Sequence, residues 1–146
     1  MTWAIESIRD SPVAAAAIFR FYADPSIWSG WGHNAKWARA VGPMVEGGTV
    51  DVRAGYGKTY PCRIRQLDEG HLLVLEARPP MITVIQTYEV VPIVTGARVR
   101  HRLEISGPLS GPMRLFGVRR VYQGWLDKEV SRLVEMASRP SDEARR

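Results

Sequence analysis

The sequence predicts an α+β fold, a curved antiparallel sheet wrapped around a long C-terminal helix, and three observations predict it. From Lys36 to about Ile105 the chain reads as short alternating segments separated by turns rich in glycine and proline. An opening strand and two short helical patterns precede that run, and one long amphipathic pattern follows it. Consecutive strands joined by short turns pair antiparallel, and only the terminal helix is long enough to cover a face of the sheet they make.

The elements follow in order. Trp3 to Ile8 alternate as a first strand. Ser11 is placed as a helix N-cap with Pro12 at the first helical position, and Val13, Ala17 and Phe21 recur at helical spacing up to Tyr22. Asp24-Pro25 ends that helix and opens a second short one through Ile27 and Trp28, closed by Gly30 and Gly32. Six strands are expected at Lys36–Val41, Thr49–Ala54, Thr59–Leu67, His71–Ala77, Thr83–Val91 and Ala97–Ile105, with glycine or proline turns between them. After Gly111-Pro112 a helix runs to about Ser138 on the stripe Leu115, Val118, Tyr122, Leu126, Val130, Leu133 and Ala137. Residues 1–138 thus form one domain, and 139–146 (RPSDEARR), charged and poor in apolar side chains, form a disordered tail.

Composition narrows the function classes. Twenty basic residues against fifteen acidic ones leave a net charge of +5, too little to argue a specific nucleic-acid partner. The single cysteine, Cys62, forbids an intrachain disulfide, which fits a reducing cytoplasm. No run reaches the roughly 18 apolar residues of a transmembrane helix, and the N-terminus lacks the basic-then-apolar layout of a secretion signal. Gly57-Lys58-Thr59 imitates the end of a phosphate-binding loop, but position 52, where that motif needs its first glycine, is Val52. The histidines and Cys62 lack metal-ligand spacing, so neither a metal nor a cofactor is expected. Monomer and homodimer both remain open.

Strand alternation sorts the side chains. Arg98, Arg100 and Arg102 share one face of the last strand, which belongs in water, so Val99, His101 and Leu103 turn inward. The same reasoning sends Tyr60, Cys62 and Ile64 inward opposite Arg63 and Arg65, and puts Val84, Gln86, Tyr88 and Val90 on one face of their strand. The interior therefore holds Tyr60, Cys62, Gln86, Tyr88 and His101. Unpaired buried polar groups cost about 1–3 kcal/mol each, so these are either privately satisfied or gathered around a ligand in an apolar pocket. Trp31, Trp37 and the loop residue His33 sit near the expected cavity edge, and Phe116 and Tyr122 on the terminal helix are candidates for its roof.

The order of elements resembles the START/Bet v 1-like (SRPBCC) superfamily, and within it the polyketide cyclase/dehydrase and lipid-transport group. The resemblance rests on the opening alternation, Ser11-Pro12, Asp24-Pro25 followed by Trp28 and Trp31, Tyr88-Glu89-Val90 before Gly96, and the long terminal helix. It implies a helix-grip fold, seven antiparallel strands gripping the terminal helix around a deep cavity, with lipids, sterols, hormones or polyketides as ligands. The expected function is then an intracellular carrier or sensor of an apolar or aromatic small molecule. The alternatives are an aromatase/cyclase or dehydratase using His101 and Tyr88 as acid and base, and a protein that receives a partner's segment in the same concavity.

Overall fold

The computed structural model describes residues 2–32, 35–55 and 57–139. Strand β1 (Thr2–Ser11) is followed by α1 (Ala15–Ala23), a single 3-10 turn (Pro25–Ile27) and α2 (Trp28–Trp31). The strands β2 (Ala35–Val41), β3 (Thr49–Ala54), β4 (Thr59–Asp68), β5 (Leu72–Ala77), β6 (Thr83–Ile93) and β7 (Gly96–Ser106) come next. Helices α3 (Ser110–Leu115) and α4 (Val118–Ser138) end the described chain. The seven strands form one antiparallel sheet in the order β1-β7-β6-β5-β4-β3-β2. Because β1 and β2 are its opposite edges, α1 and α2 must cross the concave face between them, where α4 packs against β1, β7, α1 and α2.

The inferred strand faces hold. Val50, Ile64, Leu75, Val90, Val99 and Ile105 are buried on the concave side together with Ile18, Tyr22 and Trp31 from the helices. The opposite face is solvated and ion-paired: Arg98 with Asp10, Arg100 with Glu6, Arg65 with Glu76.

Three local expectations are corrected. Ser11 does not cap α1: it ends β1, and its Oγ accepts the Val13 N–H at 3.1 Å. Pro12 therefore lies in the connection, and Ala14 precedes the helix without a side-chain cap. Gly30 lies within α2, whose C-cap is Gly32. The terminal helix is broken in two. Gly117 takes φ +79°, a left-handed conformation that costs glycine little, so the chain leaves α3 and restarts as α4. Leu115, placed on the buried stripe by periodicity, is 82 % exposed as a result. The proposed tail falls mainly on residues 140–146, outside those described. Among the described residues no helix is long and apolar enough to cross a membrane.

Candidate functional site: a cavity between the sheet and the terminal helix

The walls of the cavity are set by how α1 ends. The last carbonyls of a helix have no partner inside it. Here Trp31 Nε1 donates to the Phe21 carbonyl at 3.3 Å and Trp28 Nε1 to the Tyr22 carbonyl at 3.2 Å. Spaced three apart on one short helix, the two indoles satisfy α1 and present their rings to the cavity. Asp24 assists from the turn, accepting from the Ser26 N–H and Oγ.

Two adjoining lobes open between sheet and helices. The first, about 150 Å³, is lined by Trp28, Trp31, Cys62, Leu75 and Tyr88 among others. The second, about 370 Å³, lies between Pro80 and Ile82 on the sheet side and Tyr122, Trp125 and Leu126 on α4. Tyr60, Pro79, Val84, Gln86 and Glu129 belong to both. The lining is apolar and aromatic, with a few polar atoms, the usual make-up of a small-molecule site.

Trp31, Tyr60, Cys62, Gln86, Tyr88 and Tyr122, expected near a ligand, all line one lobe or both. Trp37 does not: it is 41 % exposed on the face of β2 that carries Arg39, whose guanidinium lies 5.7 Å from its ring centre. Phe116 is no roof residue, because the break at Gly117 leaves it 81 % exposed. His33 lies outside the described residues.

His101 points inward as alternation requires, but it is fully buried one layer behind the cavity wall. The rings of Tyr88, Tyr22 and Trp31 surround it, with centres 4.8, 5.5 and 5.7 Å away. Its Nε2 is 2.8 Å from the Tyr22 hydroxyl. Burial, reinforced by the nearby Glu129 carboxylate, pushes the phenols of Tyr22 and Tyr88 well above their usual range, so both keep their protons. The Tyr22 hydroxyl and Nε2 share one hydrogen bond, and the other ring nitrogen is Nδ1. That nitrogen has no hydrogen-bond partner among the described residues and lies 3.6 Å from Glu129 Oε2.

Glu129 is the buried cavity carboxylate that sequence reasoning missed. It is 8 % exposed, lies on the buried side of α4 and contacts both lobes. The signal was present: Glu129 stands between Leu126 and Leu133 at spacings of three and four, a carboxylate inside an apolar stripe. On the opposite wall Tyr88 donates its hydroxyl to Gln86 Oε1 at 2.9 Å. Cys62 is no nucleophile at neutral pH, since burial, helped by the Asp51 charge, raises its pKa to about 11. The wall thus offers a carboxylate, a phenol and an amide on an apolar surface. Among the described residues no three His, Cys, Asp or Glu side chains gather as they would around a metal ion.

A curved antiparallel sheet closed over a long helix, with a cavity between them, is the helix-grip architecture of the START/Bet v 1-like superfamily. The chain belongs to the family described as polyketide cyclase / dehydrase and lipid transport, whose model matches residues 2–137. No curated protein matches it significantly. Similar solved structures include a START superfamily protein from Mycobacterium smegmatis, at TM-score 0.74 and 13% identity over 92% of this chain and 96% of that one. Truncated norcoclaurine synthase from Thalictrum flavum superposes at TM-score 0.73 with 13% identity, covering 97% of this chain and 96% of the enzyme. Ara h 8.0201 gives 0.66 with 16% identity, covering 92% and 99%. At these identities the likeness is one of fold.

Proposed function

We propose that this protein binds an apolar or aromatic small molecule, lipid- or polyketide-like, in the two-lobed cavity, as a carrier or sensor. The observation that carries this reading is the lining itself. Aromatic and aliphatic side chains from the sheet, α2 and α4 enclose space that a dry core would fill, and the polar atoms of Tyr60, Gln86, Tyr88 and Glu129 border that space. Family membership and the fold of the similar structures support it.

A second reading, acid–base catalysis of a cyclisation or dehydration, is favoured by one observation, the approach of His101 Nδ1 to Glu129. In that reading Glu129 meets the substrate. His101, held by Tyr22, stands with Nδ1 3.6 Å from Glu129 Oε2, and Tyr88 is a proton donor on the opposite wall.

Native mass spectrometry of the protein purified from its host, with organic extraction of bound material, tests the first reading. A co-purifying hydrophobic molecule is expected, and a plug such as Ala77→Phe in the first lobe should abolish its retention. A clean apo mass, with no thermal shift across a lipid and aromatic library, would overturn it. Turnover of the extracted molecule by wild type but not by Glu129→Gln, with affinity kept, would establish the second.

A further inference from the structure

We propose that the junction of α3 and α4 docks on an anionic lipid surface. Leu115 and Phe116 are consecutive, 82 % and 81 % exposed, and stand where Gly117 turns the chain. Exposed apolar side chains scattered singly are ordinary, but a contiguous group marks a contact surface. Here Leu115 and Phe116 are consecutive, Val121, one turn into α4, is 51 % exposed, and Leu109 and Met81 are 39 % and 60 % exposed. The Leu109 N–H donates to the Met81 carbonyl at 3.1 Å, which ties the start of α3 to the loop between β5 and β6.

Charge selects the partner. Arg114, Arg119 and Arg120 flank the apolar pair, all exposed, and none is ion-paired among the described residues. From Ser106 to Leu126 the chain carries those three arginines and no acidic residue. Apolar side chains at a tip with a basic collar suit the boundary between acyl chains and anionic headgroups. A second copy fits worse, because a two-fold contact through this patch would set the same arginines against each other.

The patch also adjoins the cavity. Pro80 and Ile82, the neighbours of Met81, line the second lobe, as do Tyr122 and Trp125 just beyond Val121. The surface does not depend on what the cavity holds, so either proposal can fail without the other.

The test is co-sedimentation of the full chain with vesicles of phosphatidylcholine alone or with about 30 % phosphatidylserine, at low and high salt. Binding is expected to the mixed vesicles, to weaken by about fivefold for each arginine changed to glutamine, and to fall at high salt. The variant Leu115→Ser/Phe116→Ser should bind at least tenfold more weakly while melting at the wild-type temperature, since neither side chain is packed. No binding to either vesicle, or undiminished binding by the serine variant, would overturn the proposal. So would a dimer in sedimentation velocity that the serine variant abolishes, if vesicles are not bound.

Discussion

The contact between Tyr22 and His101 gives the most discriminating prediction, because it asks whether the buried histidine belongs to the fold or to the chemistry. Tyr22→Phe removes one oxygen and little else. The ring stays against Phe19, Trp31 and Tyr88, while Nε2 of a fully buried imidazole loses its hydrogen-bond partner at 2.8 Å. Nδ1 has no hydrogen-bond partner among the described residues to begin with. A buried donor or acceptor left unpaired costs about 1–3 kcal/mol. At about 2 kcal/mol, and with a urea m-value of about 2 kcal/mol/M, the unfolding midpoint should fall by about 1 M with the slope unchanged. Melting should fall by about 4–8 °C. The double variant Tyr22→Phe/His101→Phe should cost less than the two single changes together, since it removes both partners of one bond. Urea titration followed by tryptophan fluorescence reads all three variants. A Tyr22→Phe midpoint within about 0.2 M of wild type would refute the reasoning, showing that this bond is not what makes His101 tolerable in the core.

Three further outcomes are expected. Gly96→Ala should destabilise by more than about 2 kcal/mol in the same titration, because at φ +145° a Cβ would collide with the Ser11 carbonyl oxygen where β7 begins beside the end of β1. Cys62 in the native protein should be alkylated by iodoacetamide at pH 8 on the order of a hundredfold more slowly than a free cysteine, since its pKa stands at about 11 and the residue is 6 % exposed; mass spectrometry with and without denaturant checks it. The hydrogen bond from Arg98 holds the Asp10 carboxyl below its ordinary value of 3.8. Its stabilisation is therefore present above that pH and lost as pH falls through the lower folded value. Asp10→Asn should therefore lower stability slightly at neutral and higher pH, the difference from wild type should vanish as pH falls below the folded value, and salt should shrink it.

Alternation along the strands was enough to choose faces. It put Tyr60, Cys62, Gln86 and Tyr88 on the concave side, where they line the cavity, because a two-residue period admits only two orientations. It could not give depth. His101 faces the same way as the cavity residues, yet Tyr22 and Trp31 from the crossing helices lie against it, and that layering is a tertiary fact. The placement of Trp37 at the cavity edge fails where alternation was not applied: the residue shares its strand face with Arg39. Helical periodicity misled in two ways. It ran through Gly117, where a left-handed residue ends one helix, and so counted Leu115 as buried and Phe116 as roof. It also passed over Glu129, because a stripe sought among apolar residues hides a carboxylate standing within it.

The position of Glu129 has a consequence for ligand length. Both lobes share it, together with Tyr60, Gln86, Pro79 and Val84, so three polar side chains stand at the waist where the two chambers adjoin. A molecule short enough for one chamber meets the waist with its end. A molecule that fills both must thread it, and carries its polar atoms in its middle or leaves a carboxylate facing hydrocarbon. Under the proposed binding function, the cavity would select ligands by where along the chain the oxygen or nitrogen lies.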